Sequence, residues 1–376
     1  MAVARNDPFT IHGEIVPAGS RRHVEIPVAR LPTDTSLSLP VSVVNGRRPG
    51  PKVWLNAVIH GDELNGVEII RQVLSVLRPR ELAGTVVAVP IVNVFGFVSE
   101  SRYLPDRRDL NRAFPGSPRG SLTGQLAHLF MTEVVARCDY GIDFHTGSDH
   151  RTNLPQLRVD LSNPEVERLS LAFGAPATVD AAYRDGSLRS ACRQRGIPLL
   201  VYEGGEAHRF NEAAIRAGVE GTMRVLRELG MWDAPVRPPD RATTVVRHSA
   251  WERARRSGIV RIDVYPGQKV DRGDVLGVLG DALGERRSPV RATRSGIVLG
   301  YTRNPLVSQG DALVHIADLS DTARGGPARP PTECRSRGNG HAYRRAFASR
   351  SRGRTRRRCA RRAMAPCPRS TSGRRG

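Results

Sequence analysis

The sequence predicts an α/β protein with a mostly parallel or mixed sheet and helices on both faces, then a small all-β domain of the barrel-sandwich kind, then a disordered basic tail. Three observations lead there. Apolar runs such as TVVAVPIVNV (85–94), of the type buried on both faces of a parallel sheet, alternate with stretches of helical periodicity as far as residue 229. Beyond a proline-rich break, MWDAPVRPPD, the segment SGIVRIDVYPGQKVDRGDVL (257–276) is echoed by SGIVLGYTRNPLVSQGDAL (295–313). After residue 323 the chain has hardly any aliphatic side chains and is dense in arginine.

Taken in order, residues 8–48 read as short strands punctuated by Pro and Gly, ending in NGRRPGP ahead of the first strong apolar strand, VWLNAVI. Val67, Ile70, Val73, Leu74 and Leu77 recur at helical spacing, which predicts a helix over 64–77. Further helices are expected at 122–137, 164–173, 185–195 and 211–229, with strands at YGIDF and PLLVYE among them. These segments divide the chain into an N-terminal β segment (1–39), a catalytic domain (40–232), a linker (233–245), a β domain (246–318) and the tail (323–376). Each half of the β domain puts Gly-Ile-Val before a strand and Gly-Asp before a turn, similar to the flattened barrel of biotinyl and lipoyl carrier domains. A carrier needs a modifiable lysine between the halves, and LGDALGERRSPVRA has none. The β domain is therefore expected to serve as a lid or a homo-oligomer contact rather than as a carrier.

Charge is distributed unevenly. Residues 324–376 hold seventeen arginines against one glutamate, which accounts for +16 of the formal +21 and leaves the body only mildly basic. Nucleic acid is thus expected to bind, if at all, through the tail, because the body lacks the basic surface that phosphate recognition requires. A segment so poor in apolar residues cannot order itself. It reads either as a polyanion-binding arm or as translation past a frameshift in a GC-rich gene, the latter favoured by a body whose only lysines are Lys52 and Lys269. Five cysteines, none in Cys-x-x-Cys spacing, make neither a disulfide framework nor a metal site. No run approaches the roughly 20 apolar residues of a membrane span, and MAVARNDPFTIHGE lacks the apolar core of a signal peptide. A cytoplasmic protein with no membrane association is expected.

Three of the apolar runs end on groups that bind or serve a metal: VWLNAVI leads into His60 and Glu63, YGIDF into His145, and LLVY into Glu203. In an open α/β sheet the ligand site lies beyond the carboxyl ends of the strands, so such residues converge despite their separation in sequence. Two imidazoles and one carboxylate are the donor set of a catalytic zinc site with an open position for water. A second carboxylate must then move the proton, and Glu203 is the candidate. The stretch SRYLPDRRDLNRAFPG (101–116) adds arginines suited to holding a carboxylate or an oxyanion. Glu206 lies close enough to Glu203 to act in its place but falls past the strand end, and His208 is a candidate for tuning the pocket. The chain shows no Gly-x-Ser-x-Gly elbow and no phosphate loop.

The motifs HGDE (60–63), DLNR (109–112), DFHTG (143–147) and YEGG (202–205), in this order, resemble the succinylglutamate desuccinylase and aspartoacylase family, a branch of the zinc carboxypeptidase-like hydrolases, over roughly residues 40–318. The resemblance implies one Zn2+ per chain on His60, Glu63 and His145, with Glu203 as general base and acid. It also implies that Asn111 and Arg112 hold a substrate carboxylate, that Arg108 is a further substrate-binding candidate, and that an upstream arginine polarises the scissile carbonyl. Arg102 is the first choice for that role over Arg107 and Arg108, although more residues separate it from DLNR than in the aspartoacylases. The implied activity is hydrolysis of the amide, or ester, of a small acylated amino acid or amine. A carboxypeptidase acting on peptides and a non-catalytic relative with a polyanion-binding tail are the alternatives.

Overall fold

A computed structural model describes residues 4–148 and 150–319 of the chain. The basic tail, and the expectations attached to it, lie outside the described residues.

The N-terminal segment forms longer strands than its prolines suggest. After the small β1 (Phe9–Ile11) and β2 (Glu14–Val16) hairpin, β3 (Ser20–Arg30) and β4 (Ser36–Asn45) make an antiparallel ribbon. Pro27 is tolerated because β3 lies at the sheet edge and its register shifts between Pro27 and Ala29. Pro40 sits in the half of β4 that extends beyond its other neighbour, whose ladder covers only Ser42–Asn45.

The central region follows as β5 (Arg48–Ala57), α1 (Asn65–Val76), β6 (Ala83–Val89), α2 (Val94–Val98) and α3 (Leu122–Glu133). Then come β7 (Tyr140–Gly147), β8 (Arg151–Val159), α4 (Pro164–Phe173), β9 (Ala177–Asp180), α5 (Leu188–Gln194), β10 (Leu199–Glu206) and α6 (Glu212–Glu228). The run 85–94 does not stay extended to its end. Pro90 follows the last strand residue, and the Asn93 side chain accepts from Gly96 N to open α2. The helix expected over 122–137 stops at Glu133 and is followed by a 3-10 turn, Val135–Arg137.

The strands form one mixed sheet. β5 is parallel to both β6 and β7, β7 is parallel to β10, and β8 runs antiparallel to β10. Helices α1, α4 and α6 cover one face, where Ile69, Ile70, Val73, Phe173, Ile215 and Tyr202 are buried together. Trp54, Leu126, Phe130, Leu188 and Val87 fill the other face beneath α3 and α5. Burying each such side chain stabilises by about 1.5–3 kcal/mol, so the two packed faces hold the strand ends at fixed spacing.

The C-terminal strands are β11 (Thr244–Val246), β12 (Ser249–Arg253), β13 (Gly258–Ile262), β14 (Lys269–Val270), β15 (Val275–Gly280), β16 (Ser288–Arg291), β17 (Gly296–Thr302), β18 (Leu306–Val307) and β19 (Ala312–Asp318). The sequence repeat is visible as two strand, short strand, strand units that clasp each other: β14 of the first pairs with β17 of the second, and β18 of the second pairs with β13 of the first. This module is continuous with the central sheet, since Gly300, Tyr301 and Thr302 of β17 pair with Asn153, Thr152 and Arg151 of β8. Arg303 then closes on Glu206 with two 2.6 Å contacts from one guanidinium nitrogen. Among the described residues no helix is long and apolar enough to cross a membrane.

Candidate metal centre and active site

The loop that carries His60 is shaped by close approach. A Cβ on Gly61 would come within 2.0 Å of the Gly96 carbonyl carbon, so only glycine lets the HGDE turn lie against α2. At Gly66, in the first turn of α1, a Cβ would meet those of Ala57 and Phe144 at 2.5 and 2.6 Å, so the helix can settle onto β5 and β7. His60, Glu63 and His145 are thereby brought together, all at most 4 % exposed, with one donor atom from each lying within 4.8 Å of the others.

Glu63 is the hub of the three. Its Oε1 lies 2.8 Å from His60 Nδ1 and its Oε2 lies 2.8 Å from His145 Nδ1, while Thr146 N donates to Oε2 at 3.1 Å. The opposite nitrogens face outward to carboxylates: His60 Nε2 is 3.2 Å from Asp109 Oδ1, and His145 Nε2 is 2.9 Å from Asp143 Oδ2. Asp143 is fixed in turn, accepting from Asn56 Nδ2 at 2.6 Å, and Asn56 Oδ1 accepts from Trp54 Nε1 at 2.9 Å. An imidazole whose Nε2–H is donated to a carboxylate keeps Nδ1 free of its proton and available as a ligand.

The electrostatics agree. Burial alone would push the Glu63 carboxyl upward, yet His60 and His145 hold it well below the usual carboxylate range. Burial disfavours the charged form of both imidazoles as well. Glu63 and Asp109 nevertheless raise His60, and Asp143 and Glu63 raise His145 well above the ordinary histidine value. Three carboxylates around two imidazoles make this buried point attractive to a cation. Together with the His, His, carboxylate donor set, that fits a zinc ion, whose preferred ligands are imidazole nitrogen and carboxylate oxygen.

The candidates of the arginine loop separate. Arg102 reaches the cluster, donating from Nη2 to Asp109 Oδ2 at 2.9 Å and from Nη1 to Ser148 Oγ at 2.8 Å, with Glu63 Oε1 at 3.7 Å. Asn111 and Arg112 line the same cavity of about 590 Å3, and Asn111 is oriented by accepting from Leu188 N at 2.9 Å. Arg107 and Arg108 do not line it; Arg108 borders a neighbouring depression against Pro115 and Gly120.

Glu203 on β10 is the ladder partner of His145 on β7, so their side chains leave the sheet on the same face about 4.8 Å apart. Its Oε2 accepts from Asn153 Nδ2 at 2.7 Å, and the side chain keeps 20 % exposure to the cavity. Glu206 is held by Arg303 and by Arg209, which lies at 3.3 Å, and it does not line the cavity. His208 is exposed, and its backbone N donates to Asp62 O at 2.8 Å.

Sequence reasoning passed over much of the cavity wall. Arg158 and Asn153 of β8, and Trp251 and Arg253 of β12, line it too. Period-two alternation along RTNLPQLRV marks one face of β8, but a register shift opposite Glu203 and Gly205 puts both Asn153 and Gln156 on the Glu203 side. No local pattern in the sequence gives that bulge.

The fold and site define a mixed α/β protein with a buried two-histidine, one-carboxylate centre at the ends of parallel strands. Residues 49–229 match the family model of the succinylglutamate desuccinylase/aspartoacylase catalytic domain. Through that region the chain belongs to the succinylglutamate desuccinylase/aspartoacylase family. It is 27 % identical over 300 residues to the N-alpha-acetyl-L-2,4-diaminobutyric acid deacetylase of Halomonas elongata, covering 76 % of this chain and 87 % of that protein. A succinylglutamate desuccinylase/aspartoacylase from Rhodobacter sphaeroides superposes with a TM-score of 0.71 at 29 % identity, over 79 % of this chain and 95 % of its own. The ectoine utilization protein EutE (DoeB) of Ruegeria pomeroyi, solved with product bound, shares the fold at 22 % identity with a TM-score of 0.73, over 84 % of this chain and 99 % of its own.

Proposed function

We propose that the chain is a zinc-dependent deacylase that hydrolyses the amide, or ester, bond of a small N-acylated amino acid or amine, with one zinc per chain on His60, Glu63 and His145. The observation that carries this reading is the buried cluster of those three residues beside Glu203 on the adjoining strand. Membership of a family of acyl-group hydrolases and similarity to a deacetylase support the same chemistry.

A zinc ion bound there supplies Lewis-acid polarisation and water activation at neutral pH. The protein's own groups do the rest. Glu203 takes the proton of the attacking water and returns it to the departing nitrogen, steadied by the Asn153 hydrogen bond. Arg102 stands next to the centre, where its guanidinium meets the charge that develops on the carbonyl oxygen. Asn111 and Arg112 hold a substrate carboxylate through a planar, two-pronged contact. Asp109 and Asp143 keep both Nδ1 atoms turned inward. The division into a catalytic domain at 40–232 and a β domain at 246–318 belongs to this proposal, the latter supplying one wall of the site.

The test is a panel of N-succinyl, N-acetyl and N-aspartyl compounds offered to the zinc-loaded enzyme, with and without chelator. Hydrolysis lost on chelation and regained with zinc is expected. Glu203→Gln should keep its zinc and lose roughly 100- to 10,000-fold in rate. Full turnover by that variant would remove Glu203 from the role of base.

A further inference from the structure

We propose that the depression lined by Arg5, Arg47 and Arg80, at the end of the sheet opposite the metal centre, is a second binding site, for a ligand carrying two linked phosphoryl groups. It stands apart from the deacylase reading and does not depend on it.

The three guanidinium groups come from three places in the chain and are brought together by backbone pairing. Arg5 precedes β1, Arg47 lies in the turn between β4 and β5, and Arg80 lies in the loop from α1 to β6. Asn6 N donates to Arg47 O and Arg47 N donates to Pro79 O, each at 2.9 Å, so the three segments are tied side by side. Behind them the buried Asn45 side chain is anchored at four points. It donates to Asp7 O at 2.9 Å and Val16 O at 2.8 Å, and accepts from Asn6 Nδ2 at 2.8 Å and Thr85 Oγ1 at 2.9 Å. A Cβ on Gly46 would lie 2.4 Å from Leu82 O, so the turn that carries Arg47 packs directly on the loop that carries Arg80. The depression, about 440 Å3, is therefore set by fixed backbone.

Arginines at this end of the molecule divide into those with partners and those without. Arg48 meets Asp233 Oδ2 at 2.6 Å, Arg21 donates to Leu74 O and Leu77 O at 2.7 and 2.8 Å, and Arg78 donates to Ser75 O at 2.7 Å. Among the described residues the side chains of Arg47 and Arg80 make no hydrogen bond or ion pair, and Arg5 has only Ala18 O at 3.3 Å. Ala18 and Gly19 complete the lining, which holds no carboxylate. Three like charges sharing one depression repel one another, and an anion between them replaces that repulsion with attraction. The guanidinium fork fits phosphate oxygens through paired hydrogen bonds. A phosphoryl group carries about 1.5–2 negative charges at pH 7, so two of them balance three guanidinium groups and one does not. The mild net charge of the body conceals this cluster, because its members are far apart in the sequence.

The position excludes a part in the reaction. Arg48 opens β5 and His60 follows its far end, so the ten residues of that strand put about 30 Å between the depression and the metal centre. A ligand held here acts on the protein instead, fastening the N-terminal segment to the β4–β5 turn and to the loop after α1.

The test is calorimetry on the full-length zinc-loaded protein at constant ionic strength, with diphosphate and ADP compared with inorganic phosphate and AMP. One diphosphate per chain is expected, bound about 10-fold or more tighter than inorganic phosphate. ADP binding more tightly than diphosphate would name a nucleotide as the source of the two phosphoryl groups, and the reverse order an inorganic one; both support the site. Arg47→Gln and Arg80→Gln should each weaken diphosphate by about 10-fold or more, and Arg80→Lys should restore part of the loss. Arg71→Gln, which removes an exposed charge from α1, should leave it unchanged. The site should persist in His145→Ala, where no zinc competes for the diphosphate. Binding that Arg47→Gln and Arg80→Gln leave intact, or that Arg71→Gln weakens as much, would belong to the arginine-rich tail or to general charge and would overturn the proposal, as would the absence of binding.

Discussion

The two ends of the cavity differ in how their polar atoms are matched. Around His60 and His145 each imidazole nitrogen has a carboxylate oxygen within 3.2 Å, and the network runs back through Asn56 to Trp54 in the core. Against the β module, Arg158 Nε, Arg294 Nε, His315 Nδ1 and both amide atoms of the fully buried Gln156 have no hydrogen-bond partner. The first end is organised in advance around a point of negative potential, as a reaction centre must be. The second retains unmet hydrogen-bonding capacity in the layer between β8 and the module, where Arg158 alone of these residues lines the cavity. The matched and unmatched groups thus lie on different strands, and the wall of the cavity on the unmatched side comes partly from a separate stretch of chain.

That contrast can be broken at its strong end. Asp143→Asn leaves His145 without the carboxylate that fixes its tautomer, and zinc affinity should fall about 10- to 100-fold. Competition with a chromophoric chelator measures it; an unchanged affinity would mean that the network behind the histidine is incidental.

At the module end, pH is the lever. His315 is held down to about 3 by burial and the nearby arginines, whereas the unfolded chain takes up that proton near 6.5. The stability it contributes is complete above pH 6.5 and declines as the pH falls toward 3. Between pH 7 and pH 5 the loss from this group is about 2 kcal/mol. Urea midpoints at the two pH values should converge in His315→Asn relative to the wild type. An equal drop in both proteins would show that His315 is charged in the native state.

The smallest effect is expected at the latch. Arg303 is half exposed while Glu206 is nearly buried, so Arg303→Ala should cost about 1–2 kcal/mol. The loss is read as a lower thermal midpoint, with zinc affinity untouched. A fall in zinc affinity instead would show that the module supports the metal centre directly.

The grouping of His60, Glu63 and His145 beside Glu203 was legible in the sequence because the runs before His60, His145 and Glu203 mark parallel strands whose carboxyl ends share one edge. Helix α1 was legible from its periodicity, and α4 and α6 were expected over 164–173 and 211–229, close to the bounds found. Arg102 could be preferred over Arg107 and Arg108 only by analogy, since nothing local tells which arginine of a loop turns inward. The cavity wall from Arg158, Trp251 and Arg253 was not legible at all. It depends on pairing β17 with β8 across more than a hundred residues of chain and on a bulge beside Gly205. The two repeats were evident, but their exchange of short strands was not, because a two-residue strand carries no pattern of its own.

The most direct measurement is anomalous diffraction at the zinc edge from crystals of the zinc-loaded protein. One peak per chain is predicted, within about 2.0–2.2 Å of His60 Nδ1, His145 Nδ1 and a Glu63 oxygen, and it should vanish in His145→Ala. A peak coordinated elsewhere, or none at full zinc occupancy in solution, would contradict the account.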